Sequence, residues 1–415
     1  MFETGLKCRH CGQEGAIGPH YVCTACFGPL EVAYDYDAIR RGSDRTAVER
    51  GPETLWRYRA LLPTRRNPAG LEAGWTPLTR ADRLGKVLGL NDLWIKNDSL
   101  NPTYSFKDRN VAVATNAALE MGFDTFACAS TGNLAGSVGA FAARAGLRSF
   151  VVVPSDLEPA KLTSASIYGA TLVTVDGNYD AVNRLCTQIA DEYGWAFANI
   201  NLRPFYSEGS KTMIFEIVEQ LGWTAPDAVV IPMAGASLLT KSYKGLLELT
   251  RVGWLEQAKT RLVGAQPEGC EPVVRAYRDG ETEVTPVVPN TIAKSLAIGS
   301  PADGYYALQA IRASGGAAAS ASDEEIVAGI ELLATTEGIF TETAGGTVVA
   351  AAKTLSEQGV LRPDERIVLA ITGCGLKTLD ALAGLQFPTL HLTKANLSQF
   401  EAALEESELL DGVPA

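Results

Sequence analysis

The stretches DLWIK (92–96), VAVATNAALEMG (111–122), TFACAS (125–130), LAGSVGAFAARAG (134–146) and SFVVVP (149–154) decide the fold. Short β-branched and aromatic runs take turns with longer alanine-rich runs, the signature of strands and helices alternating in a parallel α/β sheet. Working outward, TLVTVDG (171–177) and AVNRLCTQIADEYG (181–194) continue the pattern. It resumes with AVVIPMAG (228–235), SLLTKSYKGLLELTR (237–251), RLVGAQPEG (261–269), EEIVAGIELLATTEG (324–338), TVVAAAKTLSEQG (347–359) and RIVLAITGCG (366–375). A chain of 415 residues has room for two such α/β units and a small addition. No internal repeat interrupts the order, and the proline-containing stretch 279–290 reads as a surface connection. After about Asp380 the sequence predicts one strand and one amphipathic helix on the outside.

Composition excludes several classes of function. Lys and Arg number 36 against 48 Asp and Glu, a net charge of −12, which gives no basic footprint for nucleic acid. No apolar run reaches the roughly 18–20 residues of a membrane helix, and no secretory signal is readable behind MFETGLKCRHCG. A cytoplasmic enzyme of small metabolites is the expectation. Four of the eight cysteines fall in the first 26 residues, as Cys8-x-x-Cys11 and Cys23-x-x-Cys26. Two such knuckles let four thiolates meet around one tetrahedral zinc, so a structural zinc ribbon is expected; paired disulfides or unligated thiols are the alternative. His10 and His20 stand close enough to substitute as ligands. Cys128, Cys186, Cys270 and Cys374 read as packing residues.

With only three histidines, His10, His20 and His391, a hydrolase built on Ser-His-Asp or Cys-His is poorly supported. Acid–base work then falls to lysine, carboxylates or hydroxyls, in turns after strands, where parallel α/β folds form their ligand crevice. Four such turns stand out. In Asn101-Pro102-Thr103-Tyr104-Ser105-Phe106-Lys107-Asp108-Arg109, Lys107 sits near a helix start beside Phe106, where the helix dipole and desolvation would lower its pKa and free its amine for a Schiff base; a surface salt bridge to Asp108 is the other reading. Ser130-Thr131-Gly132-Asn133 precedes a helix and makes a cradle for a carboxylate or other anion, or a plain N-cap. Ala234-Gly235-Ala236-Ser237 is a second small-residue loop of the phosphate-cradling kind. Thr372-Gly373-Cys374-Gly375-Leu376-Lys377 offers a strand-end hydroxyl that could face a cofactor ring.

Together, NPTYSFKDR, STGN, the Gly/Ala/Ser loop, EGIFTETAGG and ITGCGLK resemble, in content and order, the threonine synthase family of pyridoxal-phosphate (PLP) enzymes on the tryptophan-synthase-β fold. The resemblance runs from about Trp75 to Leu379, and the knuckled N-terminus followed by FGPLEVAYDY is similar to the ribbon many bacterial and archaeal members carry. It implies a fold-type-II PLP enzyme: a ribbon-like cap at 1–40, a large α/β domain at 41–115 and 225–385, a small one at 116–224, a C-terminal extension at 386–415, and the cofactor in the cleft. It implies that Lys107, flanked by Phe106, carries the cofactor, and that Asn133 partners the cofactor's phenolic oxygen. Ala234, Gly235, Ala236, Ser237 and Leu238 would hold its phosphate, and Thr372 would face its pyridine nitrogen. The substrate's carboxylate would sit at Ser130, Thr131 and Asn133. Its phosphate would call for cations, with Arg109, Arg203, Lys211 and Lys294 as candidates. A homodimer is also implied.

The implied reaction converts O-phospho-L-homoserine and water to L-threonine and phosphate. The sequence departs from the family at Tyr104, where relatives usually have Gly or His, and at Gly136 and Phe141, where close relatives more often place Asn and His. These positions are expected to flank the substrate side of the ring. They keep open a related enzyme acting on another phosphorylated or activated amino acid, as a cysteate-synthase-like replacement, a variant using another nucleophile or a threonine dehydratase would. A non-catalytic zinc-ribbon binding protein is the reading from a different class.

Overall fold

A computed structural model describes residues 2–64, 66–130, 132–155, 159–177 and 179–407. The alternation becomes two sheets dominated by parallel pairing, with a small antiparallel one at the N-terminus. The N-terminal sheet holds β1 (Glu3–Cys8), β2 (Glu14–Gly15) and β3 (Leu30–Tyr34) in the order β2-β1-β3. The larger sheet draws β4 (Leu78–Arg80) and β5 (Asp92–Asn97) from early in the chain. The smaller is built from β6 (Thr125–Ala129), β7 (Arg148–Pro154), β8 (Thr171–Val175) and β9 (Ala196–Phe197), in the all-parallel order β8-β7-β6-β9. The chain then returns to the larger sheet with β10 (Ala228–Pro232), β11 (Arg261–Pro267), β12 (Ala317–Ala321) and β13 (Arg366–Ile371), in the order β12-β11-β10-β13-β5-β4. Only β4 runs antiparallel there.

The strands read as continuous apolar runs because both faces of the sheet are covered. In β10 and β13, Ala228, Val230, Ile367, Leu369 and Ile371 pack into one core with Val348, Val349 and Leu355 of the helix Thr343–Glu357. The intervening Val229, Ile231, Val368 and Ala370 enter the other core with Leu239, Leu246 and Leu249 of the helix Ser237–Arg251. Period-two alternation thus sorts neighbouring side chains into different cores.

The ribbon is not a separate body, since residues 1–378 form one compact unit. Leu6, Val32 and Tyr34 join the main core. Beside them the Tyr34 hydroxyl donates to Glu208 (2.9 Å), and Lys244 Nζ donates to the Val32 carbonyl (2.9 Å). A second compact unit begins at Leu379. Of its two expected elements the helix forms, at Leu397–Glu406, capped by the Asn396 side chain. The strand does not: residues 386–392 carry no ladder, in keeping with Pro388, which has no N–H to give one. Among the described residues no helix is long and apolar enough to cross a membrane.

Candidate active site

The four turns and the EGIFTETAGG segment meet around a cavity of about 260 Å³ at the carboxyl ends of the strands. The Lys107 turn is tied down by the loop after β13: Phe106 N–H donates to the Thr372 carbonyl (2.9 Å), Cys374 N–H to the Tyr104 carbonyl (3.2 Å), and Ser105 bridges Gly373. Lys107 is the first residue of the helix Lys107–Glu120, and its Nζ lies 4.8 Å from the centre of the Phe106 ring. Burial lowers its pKa to about 8, against the upward pull of the Glu342 carboxylate. The salt bridge to Asp108 is not made. Asp108 instead accepts from Thr103 N–H, Thr103 Oγ1 and Ser137 Oγ, each at 2.6 Å.

Across the cavity, Ala234, Gly235, Ala236, Ser237 and Leu238 all line the wall. Ala236 takes a left-handed conformation (φ 66°) that turns the chain into the 15-residue helix Ser237–Arg251. Ser237 Oγ is buried without a hydrogen-bond partner, as is Ser295 Oγ on the same wall. A side chain built on Gly235 would meet nothing within 4 Å. An orphaned hydroxyl beside open space at a long helix's N-terminus fits a phosphate. These residues, with Lys107, Asn133 and Thr372 in the wall, therefore fit PLP.

Asn133 is held from both sides. Its Nδ2 donates to the two Glu342 oxygens (3.1 and 2.8 Å), and its Oδ1 accepts from Lys377 Nζ (3.1 Å). Glu342 lies over Gly373, where a Cβ would come within 2.3 Å of its carboxylate. Ser130 also lines the cavity, but its hydroxyl is spent on its own turn, accepting from Gly132 and Ala135 N–H (both 3.1 Å). Thr131 lies outside the described residues.

Of the four cations named for a substrate phosphate, the structure brings one to the cavity. Arg203 lines it, with Nη2 3.0 Å from Asp303 Oδ2. Arg109 does not. Two residues along the helix from Lys107 it faces the other way, fully buried, with its guanidinium paired to Asp98 (2.6 Å) and Glu216 (2.5 Å). Lys211 is equally committed inside the protein, to Glu208 (2.5 Å) and Glu248 (2.8 Å). Lys294 is exposed on a turn whose next residue, Ser295, is the one that lines the wall.

The three departures also lie off the cavity. Tyr104 is 58% exposed with φ 60°, Gly136 faces Ser164, and Phe141 is fully buried with its ring against Gly70. Sequence reasoning missed both acids of the lining, Asp303 and Glu342. Glu342 stood inside EGIFTETAGG, one residue before a helix start, where an acid reads as a cap. Asp303, in the loop PADG, carried no signal at all.

In the ribbon, Cys8, Cys11, Cys23 and Cys26 bring their sulfurs within 4.8 Å of one another, with Cys8–Cys26 at 3.5 Å and Cys11–Cys23 at 3.7 Å. These are free thiols, not disulfides. Four thiolates about 2.3 Å from a central zinc are separated by roughly this much, so the set fits the metal, and neither His10 nor His20 belongs to it.

A half-buried lysine of lowered pKa facing an anion cradle across the ends of a parallel sheet defines a fold-type-II PLP enzyme. A family model described as pyridoxal-phosphate dependent enzyme matches residues 70–373. Solved structures sharing the fold include a PLP-dependent aspartate racemase (TM-score 0.63, 20% identity, 75% of this chain and 93% of that one). Another is threonine deaminase isoform 2 from Solanum lycopersicum (TM-score 0.60, 21% identity, 75% and 88%). Threonine synthase of Methanocaldococcus jannaschii is 38% identical over 379 residues, 90% of this chain and 93% of that protein. That of Methanosarcina acetivorans is 38% identical over 379 residues (90% and 92%), and that of Mycobacterium bovis 37% over 333 (79% and 89%). The chain belongs to the threonine synthase family.

Proposed function

We propose that this enzyme converts O-phospho-L-homoserine and water to L-threonine and phosphate, with Lys107 as the residue that binds PLP and moves the protons. The observation that carries the reading is the presence in one cavity wall of Lys107, whose pKa burial lowers to about 8, and of Arg203, the other cation among the described lining residues. Bound PLP supplies an electron sink for negative charge developing on the substrate's carbons. Lys107 then works as base and acid in turn, taking the proton from Cα and serving Cβ and Cγ; an amine of pKa about 8 exchanges protons efficiently near neutrality. Asn133, clamped by Glu342 and Lys377, is poised for the cofactor's phenolic oxygen, and Thr372 for its pyridine nitrogen. The turn at Ser130 and the first N–H groups of the helix Asn133–Ala145 suit the substrate carboxylate. Arg203 suits the substrate's phosphate.

The overall change breaks the Cγ–O bond to phosphate and forms a Cβ–O bond from water. The readings with another substrate or nucleophile rested on Tyr104, Gly136 and Phe141, none of which lines the cavity. A non-catalytic role would leave the lysine, the cradle and the clamp on Asn133 without use. We place the enzyme in the cytoplasm as a homodimer, a state sedimentation would test. The test of function is direct: PLP-loaded protein given O-phospho-L-homoserine should release threonine and phosphate in equal amounts. Phosphate released without threonine, or neither product, would overturn the reading.

A further inference from the structure

Asp303, an acid of the cavity wall, is reached from outside the wall by a side chain of the ribbon. Its carboxylate is buried and divided: Oδ2 meets Arg203 Nη2 at 3.0 Å, and Oδ1 meets Arg9 Nη1 at 2.7 Å. Arg9 comes from the ribbon, inside the knuckle Cys8-x-x-Cys11. It is held there by its N–H to the Pro29 carbonyl (3.0 Å), and its guanidinium lies 3.8 Å over the Tyr306 ring. The Asp303 N–H donates to the Gly235 carbonyl (3.1 Å), so the backbone that carries this carboxylate is also anchored to the loop that fits the cofactor's phosphate. Burial alone would raise the Asp303 pKa, but Arg203 and Arg9 outweigh it and keep the group ionised.

The charges decide what this arrangement does. Arg203 with Asp303 alone is a neutral pair, and a neutral pair has little to offer a phosphate dianion. Arg9 adds a third charge and makes the set cationic by one unit, in a place where solvent screens poorly. It also occupies one carboxylate oxygen, leaving Arg203 donors that Asp303 does not claim. From this geometry we infer that Arg9 is a positioning residue of the substrate's phosphate subsite, by which the ribbon sets the charge that Arg203 presents. The inference rests on the proposed role of Arg203 toward that phosphate.

The test compares PLP-loaded full-length wild type with Arg9→Ala and Arg9→Lys, reading kcat and KM for O-phospho-L-homoserine, the inhibition constant of inorganic phosphate, and the affinity for L-threonine from the visible band of the cofactor. In Arg9→Ala, KM and the phosphate constant should each rise about tenfold, the order expected for losing one charge near a partly buried anion site. The kcat and the affinity for L-threonine, which has no phosphate, should stay within about twofold of wild type. Arg9→Lys, keeping the charge, should recover most of the loss. Unchanged phosphate inhibition in Arg9→Ala overturns the inference. So does an equal loss of kcat and L-threonine affinity that Arg9→Lys fails to restore, because that marks general damage to the fold. If wild type makes no threonine yet phosphate binding to it responds to Arg9→Ala as described, the reaction assignment fails while the subsite stands.

Discussion

At Lys107 a single number governs the chemistry. On the proposed reading the free amine is the nucleophile that captures the cofactor, and with a pKa of about 8, well below that of an ordinary lysine, half of it is neutral at that pH. The rate at which apoenzyme takes up PLP should therefore climb with pH through about 8 and level off above, instead of climbing on past 10. Glu342 stabilises the charged form, so Glu342→Gln should move that midpoint down; a midpoint moving up would show the coupling to be misassigned. Borohydride treatment of the holoenzyme should fix the cofactor on the peptide containing Lys107, and Lys107→Ala should carry no such adduct. Tyr104 has a different story. Its φ of 60° puts a bulky residue in left-handed backbone, a conformation that Gly adopts without strain. Tyr104→Gly should leave the product unchanged and alter stability by at most about 1 kcal/mol, relief of strain offsetting the entropy of a freer chain. A several-fold gain in turnover of O-phospho-L-homoserine would show instead that the phenol shapes specificity.

Among elements, the helix Lys107–Glu120 serves two masters. One face delivers Lys107 to the cavity, while Arg109 ties the helix to Asp98 on the segment after β5 and to Glu216 on the helix Thr212–Gln220. Removing one partner of a buried ion network leaves charges unpaired, so Arg109→Ala should cost about 3–5 kcal/mol of stability. In whatever fraction folds, KM should be close to wild type, since this arginine does not line the cavity. A selective rise in KM would restore it to the site. That contrast marks the limit of legibility. The strand–turn–helix order, the lysine turn and the cradle at 234–238 could be read from the chain because each is local, written in residues a few positions apart. Which of four cations reaches the cavity could not, because Arg109, Lys211 and Arg203 are chemically alike in sequence and differ only in which carboxylate the fold sets against them. Asp303 and Arg9, 294 positions apart, were invisible for the same reason.

Across the whole molecule the ribbon is stitched to the catalytic body by three kinds of contact: apolar residues of β1 and β3 in the main core, the Glu208 cluster with its lysines, and the Arg9–Asp303 pair. Its own two-residue β2 and short loops bury little, so a metal held by the four thiolates would add to what fixes its shape. Metal analysis should find about one zinc per chain. Replacing Cys8 and Cys11 together with serine should abolish that zinc and lower the unfolding temperature by several degrees. The kcat per folded molecule should change far less, because no ribbon atom lines the cavity among the described residues. KM should rise in the same sense as in Arg9→Ala, since the knuckle that loses its metal is the one presenting Arg9. A zinc-free protein with wild-type unfolding temperature and wild-type KM would show that the stitching alone holds the ribbon and that its cysteines have no structural task.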